Sequence, residues 1–209
     1  MYAASRYLYE NHTSLSNKLC NEIIHLFNEE ECKLPGRTAG GVNTNVKDTL
    51  DYVIVNNPKW SKIRQCLIDE LIYNIEVYIN SLDTPAYNSL PIDINNSNIK
   101  VSYKELDIDS LTFNTLMIQQ YKSKKGRYIY HNDFSLDFKS SRYRVLTYIW
   151  YLNDVNEGGE TIIWDNHKIK PTTGKLLLFP ATWTYPHSGL MPISNDKYII
   201  TGWVYKWIN

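Results

Sequence analysis

The chain has 209 residues, which is enough for one domain with a buried core. Lysine and arginine together number 22, as do aspartate and glutamate, so the formal net charge of zero gives no electrostatic support for a nucleic-acid or anionic-membrane partner. Three scattered cysteines (Cys20, Cys32 and Cys66) do not fit a disulfide framework, and no stretch approaches the roughly 20 apolar residues of a membrane span.

The start and the overall composition of the chain bear on its location. Residues 1–12 contain charges and no apolar run, so we expect no signal peptide. The frequent use of Asn, Ile, Tyr and Lys suggests an AT-rich genome, such as that of a bacterium or its phage. We therefore expect a cytoplasmic protein, either bacterial or phage-encoded in the host cytoplasm.

Two amphipathic helices are predicted in the N-terminal part of the chain. The first extends to about Glu31, and either Ser14 or Ser16 can cap its start. The second begins at Pro58 and carries an apolar stripe to about Leu82. Both stripes indicate packing against a sheet and require no functional explanation.

The segment between the helices, residues 34–45, is predicted to be a loop because Pro35-Gly36 and Gly40-Gly41 are turn sequences. It carries Arg37. The simpler interpretation is a solvated connector. The alternative is a mobile flap over the mouth of a site, because such loops often close active sites.

Short strands are predicted from Ile99 to the end of the chain, after a loop over residues 83–98. This pattern is typical of an antiparallel sandwich or barrel. The predicted strands cover 111–121 and lie near 128–134, 143–152, 160–164, 175–180, 185–189 and 197–206. Turns are predicted at 156–159, 165–167, 172–174 and 192–196.

A metal-binding pattern lies at the end of the segment Tyr121–Asp133. His131 and Asp133 are two residues apart, so an extended strand points both side chains the same way. A third ligand is available in His187, 54 residues after Asp133 (187 − 133). Two histidines and one carboxylate form the facial triad of non-heme iron(II) oxygenases. His12 and His167 are expected to be bystanders.

Four features in order resemble the prolyl 4-hydroxylase branch of the iron(II)- and 2-oxoglutarate-dependent dioxygenases. They are the His131-x-Asp133 pair, the segment 151–161 (YLNDVNEGGET), His187 with Lys197 ten residues later, and the closing segment from Lys197 to Trp203. The resemblance covers about residues 111–207.

The resemblance implies an α+β, mainly β fold: a double-stranded β-helix, or jelly roll, with N-terminal helices packed on one face. Residues 1–209 would then form a single dioxygenase domain. Its helical part would cover about residues 14–82, and its jelly-roll core about residues 99–207.

The resemblance also implies an activity. The enzyme would hydroxylate a substrate C–H bond while 2-oxoglutarate is decarboxylated to succinate and CO2, with Fe2+, 2-oxoglutarate and O2, and with ascorbate as an optional addition. Asp133 favours hydroxylation, because related halogenases lack a carboxylate there.

The expected substrate is a peptidyl side chain, with proline first. Two alternatives are the same chemistry on a free amino acid or other small molecule, and a jelly-roll binding module without catalysis. No nucleic-acid or membrane partner is expected, and the oligomeric state is left open.

The resemblance further implies four residues around 2-oxoglutarate. Lys197 would bind the distal carboxylate, because a buried cation needs an anion. Thr201 lies on the same strand face and could add a hydroxyl. Tyr121, ten residues before His131, matches a tyrosine that contacts the cosubstrate, and Tyr151 would reach its distal end.

The resemblance also implies that Arg144 and Trp203 border the substrate entrance. The arginine can donate to a peptide carbonyl, and the indole offers an apolar wall. However, Arg144 lies seven residues before Tyr151 (151 − 144), and an odd separation places two residues on opposite faces of a regular strand. Either a β-bulge intervenes, or Arg144 precedes the regular part of the strand.

Overall fold

The computed structural model describes residues 5, 7–82, 111–113 and 115–208 of the chain. The predicted loop over 83–98 and the predicted change to strands at Ile99 lie outside these residues. Within the described ranges, neither helix combines the length and the apolar character that crossing a membrane requires.

Two helices and sixteen short strands make up the described part. The helices are α1 (Asn17–Glu29) and α2 (Ser61–Leu82). The strands are β1 (Tyr9–Asn11), β2 (Leu34–Pro35), β3 (Arg37–Thr38), β4 (Gly41–Val42), β5 (Lys47–Asp48), β6 (Leu50–Val53), β7 (Leu111–Phe113), β8 (Met117–Tyr121), β9 (Arg127–His131), β10 (Leu136–Asp137), β11 (Arg142–Tyr151), β12 (Thr161–Ile163), β13 (His167–Ile169), β14 (Leu176–Pro180), β15 (His187–Gly189) and β16 (Lys197–Trp207).

Both predicted helices are confirmed. Ser16 caps α1, because its side chain accepts a hydrogen bond from the Leu19 backbone N–H at 3.2 Å. Ser14 is not the cap: its hydroxyl donates to Glu70 on α2 and accepts from the indole of Trp150 on β11. These two hydrogen bonds tie the start of α1 to both the second helix and the sheet.

The strands form two large antiparallel sheets and a separate hairpin of β3 and β4. The larger sheet has the order β1-β14-β11-β16-β8-β6-β2, with β10 beside β11 and β7 beside β16. The smaller has the order β13-β12-β15-β9-β5. One apolar core lies between the helices and the larger sheet, and a second joins residues of the two sheets. This arrangement is the predicted double-stranded β-helix, mainly β, with helices on one face.

Strand β11 shows how one sequence supplies both cores. Tyr148 and Trp150 point to the helices and belong to the first core, whereas Ile149 and Tyr151 belong to the core between the sheets. Thr147 shares the second face and lines a cavity. Side chains on alternate faces of the strand therefore separate the structural core from the space in which a site can form.

Three local predictions are wrong. The strand predicted over 111–121 is two strands, β7 and β8, which both pair with β16. The segment 34–45 is not a plain loop, because β2 joins the edge of the larger sheet and β3 and β4 form a hairpin. His167 is not confined to a turn, since it pairs with Ile163 as the first residue of β13.

Candidate metal centre

The three side chains of the predicted triad converge between the two sheets. Strands β9 and β15 are neighbours, and His131 lies directly opposite His187. Asp133 follows two residues after the end of β9, and one ligand atom from each of the three residues lies within 4.8 Å of the others. The Nε2 atoms of His131 and His187 lie 3.8 Å and 3.5 Å from the two carboxylate oxygens of Asp133.

Backbone carbonyls fix the orientation of both imidazoles. The Nδ1 atom of His131 lies 2.7 Å from the Ile129 carbonyl oxygen, and that of His187 lies 3.0 Å from the Tyr185 carbonyl oxygen. Because a carbonyl can only accept, Nδ1 carries the hydrogen in each ring. The lone pair on each Nε2 therefore points toward Asp133, as in histidines that bind metals.

Asp133 is buried and held from several sides. Its Oδ2 atom accepts from the Thr147 hydroxyl at 2.8 Å, and its backbone carbonyl accepts from Arg144 at 3.2 Å. Burial would raise the pKa of this carboxyl, but the two histidines and the Thr147 hydroxyl hold the pKa below its usual value. Burial lowers the pKa of His131 to about 4. At neutral pH the group therefore offers a carboxylate and a neutral imidazole, which are the protonation states that metal ligands require.

A β-bulge brings a further ring to the site. Tyr128 and His131 are three residues apart, yet their rings stack with centroids 3.5 Å apart and planes 18° apart. The pairing with β15 explains this contact, because Tyr128 lies opposite Gly189 and His131 lies opposite His187. Three steps along β9 thus match two along β15, and the extra residue turns both rings toward the same cavity.

A second bulge resolves the orientation of Arg144. On β16, Tyr205 pairs with Arg144 and the adjacent Val204 pairs with Leu146, so β11 contains one extra residue. Of the two explanations offered by the sequence, the bulge is the one present. The Arg144 guanidinium lies 3.5 Å from the ring centroid of Trp203, and Trp203 lines the cavity.

Lys197 lies in the same cavity, only 1% exposed. Its Nζ donates to the Gly159 carbonyl at 2.9 Å and lies 4.0 Å from the ring centroid of Tyr121. Two other buried lysines of the described part, Lys47 and Lys175, each have a carboxylate within 3.1 Å, but Lys197 has none within ion-pair distance among the described residues. Burial lowers the pKa of Lys197 to about 7, against the opposing charge of Glu160.

The cavity has a volume of about 70 Å³. The other residues predicted to bind the cosubstrate differ in whether they line it and in how their hydroxyl groups are hydrogen-bonded. Tyr121 lines it and donates its hydroxyl hydrogen to Gln119 at 3.2 Å. Thr201 also lines it, but its hydroxyl hydrogen is committed to the Tyr148 carbonyl at 2.9 Å. Tyr151 is not among the lining residues and lies behind Thr161.

Thr161 is a lining residue to which the sequence analysis assigned no role. Its Oγ1 accepts from the Tyr151 hydroxyl at 2.7 Å, so its own hydrogen remains available to an acceptor in the cavity. The only sequence signal was its place at the end of the segment 151–161. Lys47 also lines the cavity, and no motif or periodic pattern in the sequence marks it.

Comparison with known proteins agrees with this geometry. Residues 116–205, a little under half of the chain, match the model of the 2OG-Fe(II) oxygenase superfamily, where 2OG stands for 2-oxoglutarate. The matched range includes the three triad residues and Lys197. Among curated protein sequences, none matches this chain.

Solved structures of prolyl hydroxylases share the fold. A viral collagen prolyl hydroxylase from Paramecium bursaria chlorella virus-1, solved as a 2OG complex, has a TM-score of 0.64 at 19% identity, with 96% of each chain covered. A Trichoplax adhaerens prolyl hydroxylase, solved with a hypoxia-inducible-factor peptide, has a TM-score of 0.65 at 18% identity, covering 97% of this chain and 84% of that one. A Pseudomonas putida prolyl-4-hydroxylase has a TM-score of 0.60 at 14% identity, covering 94% and 91%.

The unpaired lysine generates a stability prediction. Replacing Lys197 by Met should raise the free energy of unfolding of the metal-free protein by about 1–4 kcal/mol near or below pH 7, because an unpaired buried charge is removed. The folded-state pKa of about 7 lies below the ordinary 10.5, so the penalty is fully present below pH 7 and fades as the pH rises toward 10.5.

Urea unfolding in the presence of a chelator, at a pH of about 6 and of about 9.5, measures this effect. The exposed Lys168→Met variant is the matched control and should change little at either pH. A Lys197→Met protein that is no more stable than the parent at the lower pH would contradict the prediction.

Proposed function

Because residues 116–205 match the model of the 2OG-Fe(II) oxygenase superfamily and the fold is shared with solved prolyl hydroxylases, we propose that the chain is an oxygenase of this kind and hydroxylates a peptidyl side chain, with proline as the first candidate. The proposal rests on one observation above all. A His-Asp-His group and a buried lysine without a carboxylate partner among the described residues line one cavity.

The three residues proposed to hold Fe2+ fit that ion. They offer two imidazole Nε2 atoms and one carboxylate, and the backbone carbonyls behind the rings hold them in place without a metal. With 2-oxoglutarate and O2, the iron would supply the oxidising power for inserting oxygen into a C–H bond. The carboxylate of Asp133 supports hydroxylation rather than halogenation.

Lys197 is proposed to bind the distal carboxylate of 2-oxoglutarate. Of its three N–H donors one is used by the Gly159 carbonyl, so two remain for an anion. The free hydroxyl hydrogen of Thr161 can donate to the same anion, whereas that of Thr201 is committed to Tyr148. We therefore assign the hydroxyl donor to Thr161, and Thr201 and Tyr121 to the cavity wall.

Arg144 and Trp203 are proposed to contact the substrate. The Arg144 Nε atom is buried and has no hydrogen-bond partner in the described residues, so it can donate to a bound group. The indole N–H of Trp203 is directed toward Asp133 and helps to lower the pKa of that carboxyl, which leaves the indole ring as an apolar wall for the substrate. Solved relatives include a collagen prolyl hydroxylase and a prolyl hydroxylase bound to a peptide, which supports a polypeptide substrate. A free amino acid remains the alternative substrate class, and a binding module without catalysis is disfavoured by the complete triad.

The first prediction of this function is metal dependence. His131→Ala or His187→Ala should abolish iron-dependent formation of succinate from 2-oxoglutarate, because each removes one of three ligands. Succinate release and iron binding under anaerobic conditions are the measurements. The exposed His12→Ala variant should behave like the parent. Parent-like turnover in either ligand variant would refute the assignment.

The second prediction concerns the cosubstrate. Lys197→Met should weaken 2-oxoglutarate binding roughly tenfold to more than a hundredfold, because charge-assisted hydrogen bonds contribute about 1.5–3 kcal/mol each. Iron binding should survive. In the parent, affinity should fall as the pH rises above about 7, since the free lysine then loses the charge that binds the dianion.

Calorimetric titration of 2-oxoglutarate into the metal-loaded protein tests both points, with Lys168→Met as the control. Unchanged affinity in Lys197→Met would mean that another cation, such as Arg142 or Arg144, binds the distal carboxylate.

The third prediction distinguishes a role of Arg144 in substrate binding from a role in binding 2-oxoglutarate. Arg144→Ala should lower kcat/KM for substrate hydroxylation by roughly tenfold or more, the loss of one charge-assisted hydrogen bond, while iron and 2-oxoglutarate binding stay intact. Arg142→Ala, on the same strand but stacked on Tyr205, is the matched control. Equal effects of the two variants would remove Arg144 from the substrate site.

A further inference from the structure

Two cations that have no part in the proposed iron and 2-oxoglutarate sites also line the cavity: Lys47 on β5 and Arg37 on β3. Lys47 is 3% exposed and pairs in register with Tyr128, the residue that stacks on the ligand His131. Its Nζ lies 5.5 Å from the Tyr128 ring centroid. Lys47 is therefore next to the candidate metal centre, on a strand adjacent to β9.

Asp51, the partner of Lys47, leaves some of the N–H donors of the Lys47 ammonium group unused. Its Nζ is 2.7 Å from Asp51 Oδ2, and Asp51 also accepts from Thr49 at 2.7 Å and from Gln119 at 3.4 Å. Three groups thus satisfy the Asp51 carboxylate. Lys47 has three N–H donors and only this one acceptor among the described residues, which leaves two donors beside the cavity.

Arg37 is held next to Lys47 by the backbone of Gly36. The Gly36 N–H donates to the Thr49 carbonyl at 2.8 Å, and a Cβ atom at Gly36 would overlap Thr49 Oγ1 and lie 3.0 Å from Lys47 Cε. Only a glycine allows this approach. In the described part of the chain, the Arg37 side chain has no hydrogen bond or ion pair.

An apolar groove continues from the cavity past Arg37 and Met117, which line both spaces. The groove has a volume of about 750 Å³, and Leu34, Val42, Val53 and Val55 are exposed along it, Leu34 by 67%. Its two acidic residues are already paired, Asp51 with Lys47 and Glu30 with Lys59. The charge left available where the groove meets the cavity is therefore positive.

We infer that the substrate is a polypeptide segment with a carboxylate close to the oxidised residue and apolar side chains on the groove side of it. Arg37 and Lys47 bind the carboxylate, which comes from an aspartate or glutamate side chain or from the C-terminus of the peptide. The inference rests on the proposed function. It explains why two cations with free donors lie between an apolar groove and the metal ligands.

Peptide binding to the full chain, loaded with Mn2+ and 2-oxoglutarate, tests the inference. The probes are short proline-centred peptides with apolar flanks, in which Glu or Gln occupies each neighbouring position in turn, each made as the free acid and as the amide. At one position, or at the C-terminus, the carboxylate should tighten binding by roughly tenfold, and added salt should reduce the difference.

Arg37→Gln should reduce this carboxylate preference, while Arg64→Gln on α2, away from the cavity, should leave it unchanged. Arg37 is the chosen variant because it is exposed, whereas a Lys47 variant would leave Asp51 buried without its main partner. The inference is overturned if no peptide binds. It is also overturned if Glu and Gln peptides bind equally at every position and the free acids bind no better than the amides. Iron-dependent succinate formation without peptide reports on the proposed function separately.

Discussion

The pairing of β9 with β15 is the contact on which the rest of the site depends. It sets His131 opposite His187, so that two imidazoles far apart in sequence face one carboxylate. Backbone hydrogen bonds make this arrangement rigid, and carbonyl groups from the same two chain segments orient the rings. A metal site built in this way is organised by the sheet before any ligand binds, so little ordering remains to be done on binding.

Two β-bulges adapt a regular sheet to the demands of the site. In a regular strand only alternate residues face the interior, which limits how many side chains one strand can supply. The bulge in β9 adds Tyr128 to the face that carries His131, and the bulge in β11 brings Arg144 to the side of Asp133. The first bulge places the Tyr128 ring at the cavity, and the second places the Arg144 side chain behind it, against Asp133 and Trp203, each at the cost of a local break in the hydrogen-bond ladder.

The three buried lysines of the described part differ in what their charge is paired with. Lys47 and Lys175 are buried with carboxylate partners, as buried cations normally are. Lys197 is as deeply buried but donates only to a backbone carbonyl, and burial lowers its pKa to about 7. The free protein thus carries an electrostatic cost that a bound dicarboxylate would offset. The unpaired charge of Lys197 lowers the free energy of unfolding of the free protein, and a bound anion would offset that loss.

The sequence by itself determined the two helices and the antiparallel sandwich or barrel through periodicity, and it indicated the candidate triad through the spacing of His131 and Asp133. The jelly roll and the part of Lys197 were expectations from the resemblance to a known family. His131 and Asp133 are two residues apart in any extended strand, and apolar stripes identify buried helix faces wherever they pack. The contacts of Thr201 and Tyr151 could not be predicted in this way, because strand parity gives the face of a side chain but not its hydrogen-bond partner. Only the tertiary structure decided that Thr201 donates to Tyr148 and that Thr161 keeps a free hydrogen.

The N-terminal contribution to the site also required the tertiary structure. Short strands such as β3 and β5 carry too few residues for a periodic signal, and they exist because neighbouring strands supply their hydrogen bonds. Lys47 and Arg37 therefore gave no sign of a shared role in the sequence, where they are separated by turns. The sequence contained the candidate metal ligands in one short motif and one distant histidine, but the long-range pairing of strands decided how they meet and which other side chains surround them.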